Sequence, residues 1–184
     1  MRKILLTSSG FDTKALEDVF LRLVGKPAKA MHVLFIPTAA IDPGAIEVLP
    51  KCMNDLLRVG VAPRHIRVFD LHRSLTAGEM DEYDAVYLTG GSPAYLLERI
   101  NATGFHAVLA DWVERGGVYV GVSAGSCVAA GNLADNLGYL RAELAVHTKT
   151  GTASGAFDNA STGKMKLKNG SAVLIQGDQY EVIP

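Results

Sequence analysis

The chain of 184 residues has only two cysteines, Cys52 and Cys127. Two thiols are too few for a disulfide framework or a four-cysteine zinc site. An excess of charge of one sign is also missing: 18 Lys and Arg stand against 19 Asp and Glu, a formal net charge of −1. Such a chain has no general electrostatic attraction for nucleic acid or an anionic membrane, and neither is an expected partner. Its 19 glycines and 7 prolines fall well short of a low-complexity composition. No apolar run approaches the ~18 residues of a membrane span. The opening run Ile4-Leu5-Leu6 gives way at once to Thr7-Ser8-Ser9-Gly10, too short for a secretory signal core. No internal repeat or linker-like stretch divides the sequence. The expectation is a soluble cytoplasmic protein with one domain, residues 1–184, whose core is completed without metal, disulfide or cofactor.

Short apolar runs alternate with amphipathic segments. Lys3–Thr7, His32–Pro37, Ile66–Phe69, Asp84–Leu88 and Val118–Val122 read as strands apolar on both faces. Between them, Asp12–Val24, Pro43–Gly60, Ser92–Ile100 and Phe105–Glu114 carry apolar residues at helical spacing, with Ser92-Pro93 as N-cap and first helical position. Strands buried on both faces and separated by helices imply a doubly wound, mostly parallel sheet covered on both sides, a flavodoxin-like layering. After about Leu137 the texture changes. Thr148–Gly163 is polar, and Met165–Leu167, Ala172–Gln176 and Tyr180–Ile183 read as short antiparallel or edge strands, a β-rich C-terminal edge.

Gly121-Val122-Ser123-Ala124-Gly125 fits G-x-S-x-G directly after a buried strand and before a helix. A sharp turn at that place strains the serine backbone, presents its hydroxyl at the carboxyl edge of the sheet, and points the next N–H groups at developing negative charge. A serine nucleophile needs a base, usually histidine. Among five histidines, His147 follows the serine and ends Leu144-Ala145-Val146, where a strand gives way to the polar loop. Asp135, between the two, allows the chain order Ser–Asp–His, with Glu143, Asp158 and Asp178 as rivals for the third place. Thr89-Gly90-Gly91-Ser92 follows the fourth strand and offers close backbone approach and N–H donors for an anion; without G-x-G-x-x-G it is not a dinucleotide site. Cys127, one turn beyond Ser123, suits a small buried role.

These motifs, Thr89-Gly-Gly-Ser-Pro-Ala-Tyr-Leu-Leu, Gly121-Val-Ser-Ala-Gly-Ser-Cys-Val-Ala and Leu137-Gly-Tyr-Leu with His147, resemble the dipeptidase E and cyanophycinase group of serine peptidases. The opening Leu5-Leu-Thr-Ser-Ser and the Phe35-Ile-Pro-Thr-Ala segment extend the resemblance over nearly the whole chain. It implies the class I glutamine amidotransferase-like fold, with Ser123 as nucleophile and His147 as base. An oxyanion hole would come from the amides of Gly90 or Gly91 and of Ala124. The substrate implied is a small peptide with an N-terminal aspartate, and no cofactor is needed. The stretch after the nucleophile is shorter than in dipeptidase E, which leaves Asp135 nearest to the acidic position. Ala145-Val146 precedes the histidine where Asn-Pro is typical, and Lys149 is the nearest basic residue to pair with a substrate carboxylate. A homodimer is the assembly kept open. Two other readings compete: an esterase using the same elbow, and an inactive member of the fold that binds a metabolite or a protein.

Overall fold

A computed structural model describes all residues, 1–184. The five apolar runs form β1 (Lys3–Thr7), β2 (Val33–Ile36), β3 (Ile66–Val68), β4 (Ala85–Leu88) and β5 (Val118–Val122), all mutually parallel. Of the late strands, β9 (Ala172–Gln176) pairs antiparallel with β1, β10 (Gln179–Ile183) pairs antiparallel with β9, and β7 (Gly155–Ala156) closes that edge. The order across the eight-stranded sheet is β3-β2-β4-β5-β1-β9-β10-β7. Here is the expected doubly wound, mostly parallel sheet with its β-rich C-terminal edge.

Alternation along each strand divides the core. Ile4, Leu34, Ile36, Val86, Leu88 and Tyr119 belong to one buried cluster, and Leu5, Phe35, Tyr87, Val118 and Val120 to a second. Helices α1 (Lys14–Val24) and α2 (Pro43–Arg58) contribute to the second. The first is covered by α4 (Pro93–Ala102), α5 (Phe105–Glu114) and the short α3 (Ala77–Met80) and α6 (Ala124–Cys127). Helix starts follow the sequence signals: Ser92 accepts the Tyr95 N–H ahead of Pro93, and Asp42 does the same for Ala45 ahead of Pro43. The helix α3 has no apolar periodicity to announce it; its four residues are held by a capping box between Thr76 and Glu79. No helix is long and apolar enough to cross a membrane.

One expectation for the C-terminal region changes. Met165–Leu167 does not pair antiparallel: β8 (Lys164–Lys166) lies parallel to β6 (Glu143–Ala145) in a separate two-stranded sheet. Parallel pairing sends the chain out of both strands in the same direction, so the residues just beyond β6 and β8 emerge together.

The carboxyl edge of β4 and β5 is packed backbone against backbone. A Cβ at Gly125 would lie 2.4 Å from the Leu88 carbonyl oxygen, and one at Gly121 2.5 Å from the Gly125 carbonyl oxygen. Gly125→Ala is therefore expected to destabilise by about 1–3 kcal/mol or more, the scale of overpacking. Gly78→Ala in α3, where nothing lies within 4 Å of the added carbon, should stabilise by up to ~1 kcal/mol through helix propensity. Denaturant unfolding of both variants checks the pair; an unchanged Gly125→Ala midpoint would contradict the packing.

Candidate active site

At the end of β5 the chain turns sharply into α6 with Ser123 at φ 50° and ψ −102°, a conformation that costs a non-glycine residue energy. Four hydrogen-bonding contacts hold it. The Ser123 N–H donates to the Thr7 carbonyl at 3.1 Å, the Ser126 hydroxyl donates to Thr7 and Gly121 carbonyls, and the Gly125 N–H donates to the Thr89 carbonyl at 3.3 Å. The half-buried Ser123 hydroxyl thereby faces a cavity of about 570 Å³ over the ends of β1, β4 and β5, where open α/β sheets place their ligands.

His147 reaches the serine from the second sheet. Its Nε2 lies 2.9 Å from Ser123 Oγ, and its backbone has φ 56°, the left-handed region. The other ring nitrogen, Nδ1, is 2.8 Å from Oδ1 of Asn169. With Oδ1 toward the ring, Asn169 accepts a hydrogen bond from Nδ1–H, the tautomer in which Nε2 carries no proton and can accept the one from serine. An amide serves in this place in papain-like proteases, where the partner orients the ring and need not be ionised. Asn169 follows β8 as His147 follows β6, and Thr148 N–H to Leu167 carbonyl (3.1 Å) and Leu167 N–H to Ala145 carbonyl (2.8 Å) tie the two emerging strands together.

Asp135 does not fill the third position. It sits in an exposed turn at φ 56°, and its carbonyl accepts from the Asn101 side chain at the end of α4. The rivals are elsewhere too: Glu143 pairs with Lys164, Asp158 caps its own loop, and Asp178 lies in the β9–β10 turn. No local sequence signal marks Asn169, which lies in the polar Lys168-Asn169-Gly170 turn; only the parallel β6–β8 pairing brings it to His147.

The loop after β4 stands across from the elbow. A Cβ on Gly90 would lie 3.3 Å from Ser123 Cβ, and Gly91, at φ 134°, has no room for a side chain against the Ala39 carbonyl at 2.0 Å. The amides of Gly91 and Ala124 donate to no other group of the protein, whereas the Gly90 amide faces the Cys52 thiol. Free N–H groups on both sides of the serine suit an oxyanion.

Lys149 is exposed and is not on the cavity wall. The charged side chains that line it are Asp12, Glu47 and Lys51. The Lys51 ammonium donates to the Ser9 carbonyl, lies 2.6 Å from Asp12 Oδ1, and is 3.5 Å from Oδ2 of the buried Asp55. Burial alone would raise the Asp12 carboxyl, but Lys51 and the Ser9 hydroxyl hold it below its ordinary value. Asp55 Oδ2 also accepts from the Phe11 N–H and the Tyr87 hydroxyl, both at 2.8 Å, which ties α2 to β4 and to the loop after β1. No group of three or more His, Cys, Asp or Glu side chains is placed to hold a metal ion.

One edge of the α/β sheet thus carries a serine at a strained strand-to-helix elbow, a histidine in contact with it and free amides around it. Residues 4–139 match the model of peptidase family S51, and the chain belongs to that family. The uncharacterized peptidase Lin0382 of Listeria innocua is 28% identical over 135 residues, 73% of this chain and 62% of its own. Peptidase E of Salmonella arizonae is 30% identical over 131 residues, 70% of this chain and 55% of its own. The chain thus spans from 55% to 62% of these two relatives' lengths. A Listeria monocytogenes EGD-e structure, described provisionally as a peptidase E, shares the fold with a TM-score of 0.75 at 20% identity, covering 100% of this chain and 98% of its own. A peptidase from an acI-B1 Actinobacterium does so at 0.67 and 18%, covering 100% and 87%. The family match includes Ser123 and ends before His147 and Asn169.

Cys127 is set apart from Ser123. Its sulfur lies 3.8 Å from the Leu144 carbonyl, and burial pushes its thiol up to about 11. A thiol raised in the folded state stays protonated, and thus unreactive, through pH 8–9. At pH 8 iodoacetamide should label Cys127 about a hundredfold more slowly in the native protein than in urea, where the thiol returns to ~8.5. The sign for stability follows: above pH ~9 the unfolded chain ionises this thiol first, so the fold loses stability as pH rises. Equal labelling rates, read by mass spectrometry, would contradict the burial.

Proposed function

We propose that the protein is a serine peptidase acting on short peptides. The observation that carries this reading is the 2.9 Å contact of His147 Nε2 with the hydroxyl of the strained Ser123, under two unengaged amides. In the proposed reaction Ser123 Oγ attacks the scissile carbonyl as His147 takes its proton, and the resulting oxyanion is received by the Gly91 and Ala124 N–H groups. His147, its ring held by Asn169, then protonates the leaving amine, and the acyl-enzyme is hydrolysed by water that His147 activates. Membership in a peptidase family and the likeness to Peptidase E support an amide rather than an ester as the substrate. The cavity's modest volume supports a short one.

The finer reading, a preference for N-terminal aspartate, comes from the resemblance. The cation on the cavity wall able to meet such a carboxylate is Lys51 rather than Lys149, and its three N–H donors are already engaged, with Asp12 and Glu47 beside it. Aspartyl recognition therefore requires Lys51 to exchange a partner.

One kinetic panel tests both levels. Against a dipeptide library, Ser123→Ala should lower turnover by at least ~10³, the scale of a lost covalent nucleophile. Unreduced turnover in that variant would remove the serine mechanism. Aspartyl recognition predicts that Lys51→Met costs Asp-X dipeptides about 2–3 kcal/mol in kcat/KM, with Asn-X dipeptides affected much less. Equal wild-type rates on Asp-X and Asn-X would remove the aspartyl part and leave the peptidase reading.

A further inference from the structure

An amide beside a catalytic histidine carries a hazard that a carboxylate does not. A carboxylate presents only acceptors to Nδ1, but an amide has two ends. With Oδ1 toward the ring, Asn169 accepts from Nδ1 and leaves Nε2 free to take the Ser123 proton. Turned about, its NH₂ would donate to Nδ1, place the ring proton on Nε2, and aim that proton at the serine oxygen. Histidine held in the wrong tautomer has cost as much as ~10⁴ in turnover in a serine protease. Something must therefore decide which way Asn169 faces.

Ser8, fully buried at the end of β1, is placed to do so. Its hydroxyl accepts the backbone N–H of His147 at 2.8 Å. Its single proton has two acceptors in reach, the Leu167 carbonyl at 3.2 Å and Asn169 Oδ1 at 3.3 Å. Donation to Asn169 adds a second proton donor on the side where His147 Nδ1–H already points, and both reward the same orientation of the amide. The same hydroxyl steadies His147 in its left-handed backbone conformation.

We propose that Ser8 is a positioning residue that selects the His147 tautomer by orienting the Asn169 amide, an inference that rests on the serine mechanism proposed above. It never touches the reacting atoms. It acts through Asn169 and the His147 backbone, and it comes from the first strand of the chain, more than a hundred residues away in sequence.

The test uses a fluorophosphonate probe, whose second-order rate of reaction at Ser123 reads the poised hydroxyl without any peptide substrate. Ser8→Ala should slow phosphonylation about tenfold, one hydrogen bond's worth of orientation. Asn169→Asp, whose carboxylate has no wrong way round, should restore most of that loss in the Ser8→Ala background. A role for Ser8 in stability alone predicts no such rescue. Equal rates for wild type and Ser8→Ala, or a double variant no faster than Ser8→Ala, would overturn the proposal. Should Ser8→Ala fail to fold, ¹⁵N NMR of histidine-labelled wild type decides: a neutral His147 protonated at Nδ1 supports the proposal, and one protonated at Nε2 overturns it. A wild type that the probe never modifies at Ser123 overturns the serine mechanism itself, and this proposal with it, a result distinct from all the others.

Discussion

The site depends on the contact of Gly125 with the Leu88 carbonyl. At that point the turn leaving β5 lies directly on the end of β4, with no side chain between them. Because the two backbones touch, α6 begins at once after the strand. Ser123 takes a strained conformation there, and the Ala124 amide at the head of α6, like the Gly91 amide, is left without an acceptor in the protein. The strain has to be supported by bonds elsewhere. Thr7 supplies two of them from β1, accepting the Ser123 N–H and the Ser126 hydroxyl. The geometry of Ser123 is therefore a property of three adjacent strands, β4, β5 and β1, rather than of its own five-residue motif.

The other half of the site is built independently. A two-stranded parallel sheet, remote from Ser123 in sequence, delivers His147 and Asn169 side by side. This small sheet is joined to the large one through β1, whose Ser8 hydroxyl receives the His147 amide and whose Ser8 amide donates to the Ser171 carbonyl at 3.1 Å. The loop leaving β1 thus touches both halves, and its Ser9 and Asp12 continue along the cavity wall to Lys51. The buried Asp55 braces this side through Phe11, Tyr87 and Lys51. Positive charge on the wall is consumed within the protein, so the cavity presents more acid than base to a ligand.

Much of this was legible in sequence because the relevant signals are local. Apolar runs gave the five parallel strands, Ser-Pro marked the start of α4, and G-x-S-x-G after a buried strand located the elbow. His147 stood out as the histidine at the end of a late strand. The third residue was not legible. Asp135 had the chemistry and the chain order, but which residue meets His147 Nδ1 is decided by how β6 pairs with β8, a long-range contact between three-residue strands with no pattern of their own. Lys51 was hidden for a related reason. Among the apolar residues of α2, Ile46 and Leu57 are substantially exposed, whereas Leu56 turns inward together with Cys52 and Asp55. A buried aspartate on an otherwise apolar face has no sequence signature, and neither do the Ser9 carbonyl and the Asp12 carboxylate that hold Lys51 most closely at the cavity.

The family match ends at residue 139, so the assembly of His147 and Asn169 around Ser123 rests on the geometry of the C-terminal residues. A crystal structure of the protein after reaction with a fluorophosphonate examines that assembly most directly. The account predicts a covalent bond from phosphorus to Ser123 Oγ, with the phosphoryl oxygen within about 2.7–3.1 Å of the Gly91 and Ala124 nitrogens. His147 should remain between Ser123 and Asn169. An adduct on any other residue, or a phosphoryl oxygen turned away from both amides, would contradict it.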